Sequence, residues 1–182
     1  MIRSFIGLPV PTDATRALMH RQSPIAGARI VPEENLHLTL AFLGDQSQAL
    51  LRRLADDIAA CADGPVTVTL NAPNLLGKSP NAIALDAVKD DRLMALEARL
   101  TRMLHDADVE FVGRRFRPHI TLYRLPNRVE PGTALAIQRW LDAQAGAEPI
   151  SFQAQEMRLY QSTLTKDGPV YTSLAEFPLT NA

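Results

Sequence analysis

The chain has 182 residues, 46% of them hydrophobic, with 19 Lys and Arg against 20 Asp and Glu. That length suits one generous domain or two small lobes sharing a core, and the balanced charge excludes a molecule that grips nucleic acid through its overall field. No apolar run approaches the roughly 20 residues that cross a bilayer, the start Met1-Ile2-Arg3-Ser4-Phe5-Ile6 has no secretory pattern, and Cys61, the only cysteine, excludes an intramolecular disulfide or thiolate cluster. A monomeric cytoplasmic protein with no membrane attachment is expected.

In chain order, Ser4-Phe5-Ile6-Gly7-Leu8 predicts a strand stopped by Pro9 and Pro11. Thr12 or Asp13 is placed to cap a helix from Ala14 to Gln22. A connector from Gly27 to Asn35 leads to a strand from Leu36 to Leu43, broken by Gly44-Asp45. Leu50, Leu51, Leu54, Ile58 and Cys61 fall at helical spacing within a helix from Ser47 to Ala62. Val66 to Leu70 alternates as a strand, and Asn81 to Val88 reads as another. The loop between them, Asn74 to Pro80, carries Gly77, Lys78 and Ser79 but lacks the spacing of a phosphate-cradling P-loop. Asp90-Asp91 caps a helix from Arg92 to Ala107 with an apolar stripe of Leu93, Leu96, Leu100, Met103 and Leu104. Gly113 to Pro118 leads into a second short apolar strand ending near Leu125-Pro126, and Thr133 to Ala145 predicts a helix. Strands from Ser151 to Gln161 and from Val170 to Phe177 close the chain, joined by a turn at Lys166-Asp167-Gly168-Pro169.

The chemistry concentrates in a sequence written twice, Leu36-His37-Leu38-Thr39-Leu40 and Pro118-His119-Ile120-Thr121-Leu122. In a strand, side chains at i and i+2 share a face. His37 with Thr39, and His119 with Thr121, would therefore face one way while the aliphatic residues enter a core. The repeat is too widely spaced for a solenoid and fits a duplicated lobe. The expected fold is α+β, with two pseudo-symmetric, mostly antiparallel sheets facing a central cleft and helices outside. The whole chain forms a single two-lobed domain.

Two imidazoles flanking a substrate suit displacement at phosphorus, because histidine both takes and gives a proton near neutral pH. Hydroxyls two residues on can hold non-bridging phosphate oxygens. Arg114, Arg115, Arg117, Arg124 and Arg128 surround the second motif and suggest a phosphate-bearing ligand of limited size. No metal is needed for this scheme, although a zinc site built from His37, His119 and a third ligand is an alternative. His20 and His105, on helices, are read as solvated.

The paired motifs, Asn35-Leu36-His37-Leu38-Thr39-Leu40-Ala41-Phe42-Leu43-Gly44 and Arg117-Pro118-His119-Ile120-Thr121-Leu122, resemble those of the two-histidine phosphoesterase superfamily. Within it the chain looks like the bacterial and archaeal RNA 2′,3′-cyclic phosphodiesterases, once named 2′-5′ RNA ligases. The likeness extends to the strand ending in Leu8-Pro9 and to Tyr160-x-Ser162 and Tyr171-Thr172 near the end. It implies a bilobal fold with a central cleft. It also implies hydrolysis of an RNA-terminal 2′,3′-cyclic phosphate to a 2′-phosphate without metal or nucleotide cofactor. The partner is then an RNA or oligonucleotide with such an end. His37 and His119 become the acid/base pair, with His37 favoured as acid and His119 as base, and Thr39 and Thr121 bind the phosphate. Arg124 and Ser162 become candidate substrate contacts. For Arg124 this requires a bend after Leu122, since strict alternation sets it opposite Thr121. Phe42 could stack on a base, but alternation places it in the core, the favoured reading. The helix from Thr133 to Ala145 departs from the shorter link expected in some relatives and bears on which RNA is accepted. Two alternatives stay open: 2′-5′ ligation or opening of a small cyclic nucleotide at the same site, and a non-catalytic RNA-end binding module.

Overall fold

The computed structural model describes residues 1–77, 79–109, 115–166 and 168–180. Its strands are β1 (Ile2–Pro9), β2 (Arg29–Ile30), β3 (His37–Gln46), β4 (Val66–Leu76), β5 (Ala82–Ala87), β6 (His119–Arg124), β7 (Ile150–Ala154), β8 (Glu156–Thr165) and β9 (Gly168–Pro178). Its α-helices are α1 (Thr12–Arg21), α2 (Gln48–Arg53), α3 (Ala55–Ala60), α4 (Asp91–Asp106) and α5 (Pro131–Ala143).

The α+β architecture read from the sequence is present, with one difference. The strands form a single nine-stranded sheet in the order β7-β4-β5-β6-β3-β1-β8-β9, with β2 added beside β6. The two halves, β7-β4-β5-β6 and β3-β1-β8-β9, meet at the motif strands, where Leu38 lies opposite Ile120. Every pairing recorded is antiparallel. The halves are thus lobes of one curled sheet rather than separate sheets, and the junction sits where the histidines are.

α4 forms where expected because Asp90 accepts from the Arg92 and Leu93 amides at its N-terminus, and Leu93, Leu96, Leu100 and Leu104 bury one stripe. The helix predicted over 47–62 is divided at Leu54, whose backbone stays helical (φ −77°, ψ −12°) between α2 and α3. β4 runs past Leu70 into the start of the segment read as a loop, ending at Leu76, and pairs with β5 across a register shift between Leu70 and Pro73. That irregularity accommodates Pro73, which has no amide hydrogen for a regular ladder. The single strand predicted over 151–161 is two strands in opposite lobes, since β7 pairs with β4 and β8 with β1. The alternation slips by one residue at the crossing, from Ile150, Phe152 and Ala154 buried to Met157 and Leu159 buried with Gln155 and Glu156 between them.

α5 supports the second motif strand from the core side. Trp140 meets the Tyr123 ring edge-on at 5.2 Å. Trp140 Nε1 donates to the Arg21 carbonyl and the Tyr123 hydroxyl to the Ser23 carbonyl, both at 2.9 Å. Burial pushes the Tyr123 phenol up to about 12. Among the described residues, no helix is long and apolar enough to cross a membrane.

Candidate active site

Both motif strands bulge at the same place. Thr39 lies opposite Gly7 and Ala41 opposite Ile6, which leaves Leu40 as an extra residue. Thr121 lies opposite Ala84 and Tyr123 opposite Ile83, which leaves Leu122 as the extra residue. A bulge moves every later side chain to the other face. Leu40 and Ala41 are therefore both buried, as are Leu122 and Tyr123. Phe42 and Arg124 then emerge on the same face as the histidines and threonines.

This corrects the placement of Phe42, which strict alternation put in the core and which is 55% exposed. It also supplies the bend that Arg124 requires.

Each histidine is held by the backbone two residues before it. His37 Nδ1 is 2.7 Å from the Asn35 carbonyl oxygen, and His119 Nδ1 is 2.7 Å from the Arg117 carbonyl oxygen. A carbonyl only accepts, so Nδ1 carries the hydrogen in both rings. The neutral imidazoles then have their lone pairs at Nε2. His37 Nε2 lies 3.0 Å from Thr39 Oγ1, close enough to accept its hydroxyl hydrogen.

The surroundings of the two rings differ. His37 is enclosed by aromatic side chains, with Phe5 at 4.8 Å, Tyr171 edge-on at 5.0 Å and Tyr160 at 6.1 Å. Burial lowers its pKa to about 4, and the positive charges of Arg124 and His119 act in the same direction. Burial also lowers His119; at both rings the carbonyl bonded to Nδ1 opposes the shift, and at His119 the Asp86 carboxylate opposes it as well. The charge of His119 is among those acting on His37, as expected of two imidazoles in one site.

Two recesses open along this face. One, of about 250 Å³, is lined by His37, Thr121, Arg124, Arg29, Asn35 and Tyr171 among others. A second, of about 620 Å³, is lined by Phe42, Arg124, Ser162, Arg3, Asn81 and Tyr171 among others. Arg124 and Tyr171 belong to both. The candidates Phe42, Arg124 and Ser162 are thus gathered at one place, adjoining His37 and Thr121.

Of the arginines expected around the second motif, Arg117 pairs with Asp86 at 2.9 Å and Arg128 with Glu130 at 3.4 Å. Arg115 lies beside a separate recess with Lys89 and Asp86. Arg114, Lys78 and Asp167 lie outside the described residues. His20 and His105 are exposed on α1 and α4. Among the described residues, no group of three or more His, Cys, Asp or Glu side chains could hold a metal ion.

The sequence reading missed several contributors. Arg29 comes to the site because β2 pairs with β6, which sets Arg29 opposite Arg124. Asn35 holds His37 through its carbonyl and donates from Nδ2 to the Pro169 carbonyl at 2.7 Å, so it ties the first motif to the β8–β9 hairpin. Asp86 arrives opposite His119 through the β5–β6 register. All three depend on pairings between distant segments, and nothing local to those residues announces them.

A family profile described as the 2′-5′ RNA ligase superfamily matches residues 12–165. The chain is 30% identical over 157 residues to a Thermotoga maritima protein named RNA 2′,3′-cyclic phosphodiesterase, covering 82% of this chain and 79% of that one. It is 24% identical over 184 residues to a protein of the same name from Archaeoglobus fulgidus, covering 97% and 99% of the two chains. Its fold matches the crystal structure of E. coli LigT in apo form with a TM-score of 0.76 and 25% identity, covering 99% of this chain and 98% of that one.

Proposed function

The chain belongs to the 2′-5′ RNA ligase superfamily, and on that premise we propose that it is a phosphodiesterase that opens an RNA-terminal 2′,3′-cyclic phosphate to a 2′-phosphomonoester. The observation that carries this reading is the pair of tautomer-fixed imidazoles, each held at Nδ1 by a carbonyl and offering Nε2 for proton transfer. One Nε2 takes a proton from water as its oxygen attacks phosphorus. The other delivers a proton to the 3′ oxygen as the P–O3′ bond breaks. Water is consumed, and the product carries a 2′-phosphate and a 3′-hydroxyl.

Thr39 and Thr121 hold the non-bridging oxygens, where charge builds in the transition state. Arg124 neutralises the phosphate, Phe42 offers a ring face to a base, and Ser162 contributes a hydroxyl to the same recess. The names of the Thermotoga maritima and Archaeoglobus fulgidus relatives support the substrate. No metal takes part in this scheme.

The test is product analysis after incubation with an RNA oligonucleotide ending in 2′,3′-cyclic phosphate, with and without EDTA. A 2′-phosphate should form at the same rate in both, and His37→Ala or His119→Ala should remove most of it. Recovery of the intact cyclic end, or full turnover by either alanine variant, would overturn the reading.

A further inference from the structure

β2 is only two residues long, yet it sets two like charges face to face. Arg29 lies directly opposite Arg124 across the β2–β6 pairing, with Ile30 opposite Tyr123 beside it. Like charges in that relation destabilise a strand pair. Both side chains line the recess of about 250 Å³ that also holds His37 and Thr121. An anion between the two guanidiniums replaces their repulsion with two charge-assisted contacts.

Arg29 is also held from the hairpin side. Gly168, at the start of β9, has φ +121°, and a Cβ there would meet Arg29 Cζ at 3.1 Å and both terminal nitrogens at 3.2 Å. The bare glycine backbone thus lies against the guanidinium, where a side chain would displace it. Asn35 Nδ2 donates to the neighbouring Pro169 carbonyl at 2.7 Å, which fixes the hairpin in that position. Ile30 and Val170, large apolar side chains left exposed, line the same recess with Pro32. A few charged groups set in apolar walls are the usual make-up of a ligand subsite. Glu34 is the acidic residue of the lining, and its carboxylate keeps an anion on the Arg29 side.

The reacting phosphate does not use all of this. The terminal nucleoside, with its base on Phe42, takes the larger recess, and Arg124, Pro169 and Tyr171 belong to both. Its cyclic phosphate carries one negative charge, which Arg124 meets. Arg29 and the apolar residues around it line only the smaller recess, and Phe42 only the larger.

We propose that the smaller recess is a subsite for the nucleotide preceding the cyclic-phosphate end. Arg29 binds the phosphodiester that joins the two nucleotides, and Ile30, Pro32 and Val170 receive the preceding nucleoside. This rests on the phosphodiesterase reading and makes Arg29 a specificity-determining residue. A dinucleotide engages the subsite, and a nucleoside cyclic phosphate, which ends at its 5′-hydroxyl, does not.

The experiment compares a nucleoside 2′,3′-cyclic phosphate with a dinucleotide ending in the same cyclic nucleotide, at several salt concentrations. The full chain, Arg29→Gln and Arg29→Lys are each assayed. In the unaltered protein kcat/KM should be roughly tenfold higher for the dinucleotide, through KM. It should also fall more steeply with salt, by about 0.7 in the logarithmic slope. Arg29→Gln should lose roughly tenfold more on the dinucleotide than on the mononucleoside, and the extra slope should vanish. Arg29→Lys keeps the charge and should keep that slope. Equal kcat/KM and equal salt slopes for the two substrates in the unaltered protein overturn the proposal without any variant having to fold. An equal loss on both substrates in Arg29→Gln also overturns it, because Arg29 would then act on the reacting phosphate. Binding titrations with the nucleoside 2′-phosphate and the dinucleotide 2′-phosphate read the same difference without turnover, so failure of the assigned reaction is told apart from failure of the subsite.

Discussion

Phe42 and Arg124 stand at the same position of the two motif strands, five residues after each histidine, and both are turned onto the cleft face by a bulge. The backbone repeats and the chemistry does not. One half presents an apolar ring and the other a guanidinium, and both line the same recess. Removing each should therefore have a different effect. Arg124→Ala should weaken binding of a cyclic-phosphate oligonucleotide by about 1.5–3 kcal/mol, the range of a hydrogen bond to a charged group, and flatten its salt dependence. Phe42→Ala should cost about 1–3 kcal/mol, the range for a stacked base, with the salt dependence unchanged. Binding titrations at two ionic strengths separate the two; identical salt slopes for both variants would contradict the assignment.

Leu38 and Ile120, where the lobes meet, are both fully buried. Leu38→Ala should destabilise the protein by about 2–5 kcal/mol, the range for truncating a buried leucine. Urea denaturation reads this directly. A loss below about 1 kcal/mol would mean that the junction relaxes around the cavity.

Gly7 runs behind the first motif. A Cβ there would meet the Leu38 carbonyl oxygen at 2.9 Å and His37 Cδ2 at 3.4 Å. The closer neighbour is backbone, which cannot rotate aside. Gly7→Ala should lower stability by about 1–3 kcal/mol and reduce kcat by displacing His37. Unchanged melting temperature and kcat would show that the strands separate at little cost.

The enclosure of His37 also predicts how stability varies with pH. Its ordinary pKa of 6.5 applies to the unfolded chain, and in the fold burial lowers it to about 4. Between those values the unfolded chain binds a proton that the folded chain does not, so stability falls as pH drops from 6.5 towards 4 and is unaffected by this group above 6.5. The full effect is up to about 3 kcal/mol. His37→Gln should show a smaller loss between pH 7 and pH 4.5 than the unaltered protein in denaturant titrations. An equal loss in both would place the dependence elsewhere.

The sequence by itself determined the two motif strands, the α+β character, α4 with its cap and leucine stripe, and the doubling that implies paired lobes. Each of these is local: a period, a capping residue, or a motif repeated in full. It left Phe42 on the wrong face and required an unexplained bend for Arg124, because a bulge depends on the partner strand, and Gly7 with Ile6 or Ala84 with Ile83 must be in place before Leu40 or Leu122 becomes the extra residue. The crossing at Gln155 shows locally only as a one-residue slip in the apolar pattern between Ala154 and Met157, and which strand each segment joins, β4 or β1, depends on partners far away in the chain. Only the tertiary structure set Asp86 against His119 and Pro9 with a ring cage against His37. Near-identical motifs thus acquire different surroundings, because desolvation and charge are fixed by what strand pairing brings alongside them, from residues far away in the chain.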